Sequence, residues 1–168
     1  MNSNNRMSTG FRRIERHDNL FQEKVHDAYK ARGKLAEPTV CPQCGVVFEQ
    51  GRWRWGEARA DARQAICPAC HRIHDHFPAG FVVLNGAFFR AHHDEILNLV
   101  RNHETRERAE HPLQRIMAVE EEGDEMLITT TDIHLARDIG EALHRAYQGE
   151  LEYHYNPSED LLRVHWTH

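Results

Sequence analysis

Cys41-Pro-Gln-Cys44-Gly45 and Cys67-Pro-Ala-Cys70-His71 hold all four cysteines of this 168-residue chain, with 22 residues between Cys44 and Cys67. Each is a Cys-x-x-Cys loop, whose two-residue spacing lets both thiolates turn toward one point, and two such loops at this separation have the spacing of a zinc ribbon. Pro42 and Pro68 fix φ after the first cysteine of each pair. Gly45 permits the left-handed turn that aims backbone N–H groups at sulfur. Cys41, Cys44, Cys67 and Cys70 are therefore expected to hold one Zn2+, with iron the less favoured occupant. Four thiolates close a tetrahedral shell and leave no position for an activated water, so the metal is expected to be structural. With no Gly-rich phosphate loop or nucleophile elbow elsewhere, no catalytic residues are assigned and the chain is read as a non-enzyme.

Other chemistries for these cysteines are weaker. Cys67-Pro-Ala-Cys70-His71 matches the covalent haem attachment pattern, but haem would leave Cys41 and Cys44 unused, and residues 1–10 have no apolar export segment. The same feature argues against a disulfide framework. Oxidative ejection of the metal stays open, and with it the alternative of a redox- or metal-responsive regulator acting through a protein or DNA partner. His71, His74 and His76 fall in a polar stretch and are expected to be solvated or phosphate-facing.

Hydrophobic residues make up 40% of the chain and the mean hydropathy is -0.72. The longest nearly apolar stretch, 77–89, is short and broken by Pro78, Gly80, Asn85 and Gly86, so no membrane span is expected and the cytoplasm is the expected location. The net charge of -5 hides a gradient: residues 1–38 carry 8 basic and 5 acidic groups, whereas residues 113–168 carry 4 and 12. A basic front and an acidic rear suit a polyanionic partner at the front.

Working outward from the cysteines gives an α+β chain in four parts. Residues 1–19 are polar and basic, and read as a flexible arm presenting Arg12 and Arg13. Residues 20–80 comprise an amphipathic helix over about 19–32, carrying Lys30 and Arg32 and followed by Lys34, and the four-cysteine ribbon. Within the ribbon, Arg52-Trp53-Arg54-Trp55 alternates cation and ring at strand period. With Arg59, Arg63 and Arg72 it forms the expected nucleic-acid surface, the arginines on phosphate and the tryptophans divided between packing and base stacking. Residues 81–112 supply a strand or buried turn at 81–84 and a connecting helix whose stripe is Phe88, Phe89, His92, Ile96, Leu97 and Val100. Residues 113–168 alternate strand and helix patterns as a small acidic ββαββ sandwich, with Tyr153, Tyr155, His165 and Trp166 expected on its docking face.

The knuckles, together with Arg-Asn-His-Glu-Thr-Arg at 101–106 and Thr-Asp-Ile-His-Leu-Ala-Arg at 131–137, resemble a family of short bacterial zinc-ribbon proteins of unassigned function. More distantly, the four cysteines resemble the zinc-ribbon end of the nonsense-mediated-decay type of large-ribosomal-subunit export adaptor, which uses more Cys-x-x-Cys pairs than the two present here. The resemblance implies a ribosome-facing role, such as a stress or dormancy (hibernation) translation factor with ribosomal RNA and ribosomal proteins as partners. It leaves the ribosomal site and the oligomeric state open.

Overall fold

The structure is a computed structural model that describes residues 10–16, 29 and 33–168. Apart from Tyr29, the expected helix over 19–32, with Lys30 and Arg32, lies outside the described residues. The chain runs β1 (Arg12–Ile14), β2 (Thr39–Val40), β3 (Val47–Glu49), β4 (Arg52–Arg54), β5 (Arg63–Gln64), α1 (Pro68–Asp75), β6 (Gly80–Asn85), α2 (Ala87–Ala91), α3 (His93–Glu110), β7 (Ile116–Glu122), β8 (Glu125–Thr130), α4 (Ile133–Tyr147), β9 (Glu150–Asn156) and β10 (Leu161–Thr167).

Two sheets result. The larger has strand order β1-β9-β10-β6-β8-β7, and the smaller, which carries the cysteine loops, has order β4-β3-β2-β5. The two C-terminal hairpins form where the turn residues place them, with Gly123 at φ 63° turning β7 into β8. They do not pair with one another, however. β6 lies between them, parallel to β10 and antiparallel to β8. The expected ββαββ unit is thus not a self-contained sheet, because its centre comes from residues 80–85. Val82 and Leu84 on that strand are fully buried, as befits a strand with a neighbour on each side and a helix above.

The amino-terminal segment also departs from expectation. Residues 12–14, read as part of a flexible arm, form an edge strand antiparallel to β9. Arg16 then pairs with Glu141 on α4 at 2.7 Å. The ribbon is therefore inserted between the first and second strands of the larger sheet.

α4 covers one face of that sheet. Asp132 caps it by accepting from the N–H groups of His134 and Leu135 at 2.8 and 3.3 Å. Its stripe of Leu135, Ala136, Ile139 and Leu143 is fully buried against Val82, Ile128, Leu162 and Val164. Contact is close at Gly140, where a Cβ would stand 2.6 Å from Val164 Cγ1. Tyr153 and Trp166, expected on a docking face, belong to this core at 1% and 0% exposure. Strand alternation points them inward, where Tyr153 donates to Glu141 and Trp166 Nε1 to the Gln148 carbonyl. Tyr155 donates to Asp160 at 2.6 Å, while His165 lies on the opposite face beside His154. Among the described residues, no helix is long and apolar enough to cross a membrane.

Candidate metal centre

The first knuckle leaves β2 and returns as β3. Cys41 N–H donates to the Val46 carbonyl at 2.9 Å, and Gly45 N–H donates to the Cys41 carbonyl at 2.8 Å. Gly45 takes φ 81°, the left-handed conformation expected of it. The second knuckle is the start of a helix. Cys67 is the N-cap of α1, Pro68 opens its first turn, and the Cys67 sulfur accepts from Cys70 N–H at 3.4 Å. Cys67 N–H in turn donates to the Cys41 sulfur at 3.3 Å, stitching the two loops together.

The four sulfurs lie within 4.8 Å of one another. Cys44 and Cys67 are 3.8 Å apart, too long for a disulfide. It is the edge of a tetrahedron with metal–sulfur bonds of about 2.3 Å. The cysteines can therefore hold one metal ion in a closed, all-sulfur shell. Cys41 and Cys67 are fully buried, while Cys44 and Cys70 are half-buried. Burial pushes the Cys41 thiol up, but N–H groups aimed at it from Cys67, Cys44 and Gln43 outweigh that and bring it down to about 7. Burial drives the Cys67 and Cys70 thiols up. The histidines take no part: His71 and His74 face Asp75, and His76 is the left-handed C-cap of α1. Among the described residues, these four cysteines are the one group of three or more His, Cys, Asp or Glu side chains close enough to share an ion.

A residue outside the motif completes the site. Arg115, at the entry to β7 and only 3% exposed, points its guanidinium into the sulfur cluster. Its Nη1 donates to Cys70 Sγ at 3.2 Å and its Nη2 to Cys44 Sγ at 3.1 Å, while Nε donates to the Pro112 carbonyl at 2.8 Å. Burial disfavours its charge, but the hydrogen bonds to Cys44 and Cys70 outweigh that and raise its pKa further. Trp55 covers the outside of the guanidinium, its ring centre 5.8 Å from the guanidinium carbons of both Arg108 and Arg115. Trp55 Nε1 donates to the Arg108 carbonyl at 2.7 Å. No sequence pattern marks Arg115, because it stands 45 residues beyond the last cysteine and its partner atoms are met only after folding.

The expected nucleic-acid residues do not form one surface. Cross-strand pairing puts Arg52, Glu49 and Arg54 on one face of the ribbon sheet, and Trp53, Phe48, Thr39 and Arg63 on the other. Arg54 is paired with Glu49, Arg59 with Asp61 and Arg13 with Glu152. Arg72 is buried at 3% exposure, donating to the Phe77 carbonyl and lying over the Tyr29 ring, so it belongs to the packing of α1 rather than to an outer face. Trp53 packs on the cysteine cluster and against Phe48. Lys34, Arg52, Arg63 and Arg12 are exposed, with no ion-pair partner recorded among the described residues.

Lys34 and Arg52 flank a cleft of about 730 Å³ between the ribbon and the larger sheet unit. Phe48, Trp53 and Ile66 form its ribbon wall, and Leu113, Gln114 and Asp132 the opposite wall. Gln114 Oε1 is buried there without a hydrogen-bond partner among the described residues. Comparisons with protein-family models, curated proteins and solved structures returned no match, so the reading of the site rests on its own geometry.

Proposed function

We propose that this chain is a non-enzymatic, zinc-braced RNA-binding protein whose contact region is the cleft between ribbon and sheet. The observation that carries the reading is a cleft large enough for a nucleotide whose lining includes Lys34, Arg52 and the half-buried Trp53, the two cations being exposed and without an ion-pair partner among the described residues. An unstacked base fits against the Trp53 ring, while cations beside it meet phosphate. Zinc is the favoured metal because four thiolates and a closed shell match its structural sites. The choice of ribosomal RNA comes from the sequence resemblance of the four cysteines alone, and the exposed acidic turn at 120–124, away from the cleft lining, keeps that end of the larger sheet off the polyanion. The cytoplasm is the corresponding compartment.

Fluorescence anisotropy with a labelled single-stranded oligoribonucleotide, alongside co-sedimentation with ribosomes, tests it. Binding at low salt that weakens in Arg52→Glu and Lys34→Glu supports the reading. Absence of binding to either target at low salt overturns it.

The alternative, a redox-responsive regulator, has less support in the geometry. Cys41 and Cys67 are fully buried, and Arg115 donates to the sulfurs of the other pair, Cys44 and Cys70. Burial shields the first two sulfurs from an oxidant, which leaves Cys44 and Cys70, half-buried beside the guanidinium, as the more reactive pair.

A further inference from the structure

We propose that the metal centre has a fifth member, Arg115, inserted by the sheet unit as a fixed counter-cation to the metal–thiolate cluster, so that metal loading locks the ribbon onto the sheet and shapes the cleft between them. This does not depend on what the cleft binds.

The guanidinium has two donors committed to sulfur on two different loops, Cys44 in the first knuckle and Cys70 in the second, and a third contact reaches Cys67 at 3.8 Å. Four thiolates around a divalent ion leave a net charge of two negatives, and one buried guanidinium offsets half of it. A buried cation without an anion is strongly disfavoured, so the docked position of Arg115 depends on the centre being charged. Hydrogen bonds from outside the first coordination sphere draw charge from the sulfurs and orient them, which holds the metal and lowers thiolate reactivity.

The chain around Arg115 is fixed by the two segments that stood out in the sequence without an assigned task. Thr131, which opens Thr-Asp-Ile-His-Leu-Ala-Arg, accepts from Arg115 N–H at 2.9 Å, and its own N–H donates to the Arg115 carbonyl at 2.9 Å. Glu104, within Arg-Asn-His-Glu-Thr-Arg, accepts from Ile116 N–H at 3.1 Å. Arg108, on the same helix, receives the Trp55 indole N–H from the ribbon side. Both segments therefore aim one arginine at the sulfurs. Arg115 is a positioning residue of the metal site, and the sheet unit is part of that site.

The test compares the full-length wild type with Arg115→Lys and Arg115→Met. Zinc release on addition of a thiol-directed mercurial is followed with a chromogenic chelator, and the thiolate-to-metal charge-transfer band is recorded in the cobalt-loaded forms. Arg115→Met is expected to release zinc about 10- to 100-fold faster, the range set by loss of a partner outside the first shell. Arg115→Lys, whose ammonium cannot span two sulfurs, should fall between, and the cobalt band should move to lower energy in both. Stripping the metal from the wild type should also open the Arg115–Ile116 bond to trypsin while strands β6 and β10 stay protected from hydrogen exchange. Wild-type release rates in Arg115→Lys or Arg115→Met, or unchanged trypsin resistance after metal removal, overturn the proposal. Should Arg115→Met fail to fold, the charge-retaining variant and the stripped wild type decide it.

Discussion

Replacing Lys34 and Arg52 together by alanine tests the RNA reading through its salt dependence. Both side chains are exposed and have no ion-pair partner among the described residues, so their removal costs the folded chain little, and neither is a ligand of the metal site. Each cation that neutralises a phosphate of a single strand adds about 0.7 to the slope of log affinity against log salt. Loss of two such contacts should flatten the slope by about 1.4. Over a fourfold rise in salt, from about 50 to about 200 mM, the wild type should then lose roughly sevenfold more affinity than the double variant. Anisotropy titrations at four or five salt concentrations, with zinc content measured on each sample, give both slopes. Equal slopes with both proteins folded and metal-loaded would refute the placement of RNA in the cleft, even if RNA binds elsewhere.

Three further outcomes follow from the fold. Leu84→Ala, at 0% exposure on the central strand β6, should cost about 3 kcal/mol. In a chain of this length that lowers Tm by about 6–12 °C; a loss below about 0.5 kcal/mol, typical of surface positions, would mean that β6 is a connector. A fragment of residues 113–168 should show no cooperative melt, whereas residues 78–168 should recover one, because only the longer piece contains the strand that joins the two hairpins. Burial pushes the Glu141 carboxyl up, but bonds from Arg16 and Tyr153 outweigh it and hold the carboxyl below its usual range. A depressed carboxyl stabilises the fold above its unfolded pKa of about 4.3, and that contribution is lost as pH falls through the folded value. Tm measured from about pH 6 down to about pH 3 should therefore converge between wild type and Glu141→Gln at the acid end; a constant gap across the range would remove this carboxylate from the acid response.

The cysteine loops were legible because their chemistry is local. Two-residue spacing and Gly45 after Cys44 dictate turn geometry within a few bonds, and the first loop took the expected form, whereas the second pair, also expected as a loop, opens helix α1 at Pro68. The stripe of α4 and the hairpin turn at Gly123 were legible for the same reason, since periodicity and turn chemistry act over short separations. Phe81-Val-Val-Leu84 was ambiguous, because a short apolar run reads alike as a strand or a buried turn until its neighbours are known. Tyr153 and Trp166 were assigned outward because an aromatic ring suits a docking face as well as a core; register with Val164 and Leu151 settled which way they point.

By itself, then, the amino-acid order determined that four sulfurs meet, that α4 forms and where the two C-terminal hairpins turn, for these follow from contacts a few residues long, while the strand at Arg12–Ile14 and the helix at Pro68–Asp75 went unread. Tertiary structure decided what lies between the hairpins, which arginines remain exposed, and that Arg115 closes the metal centre from 45 residues beyond its last cysteine. Those outcomes depend on long-range burial and hydrogen bonding, where a cation's surroundings are set by whichever chain segment packs against it. A linear pattern cannot distinguish a guanidinium bound for phosphate from one bound for sulfur.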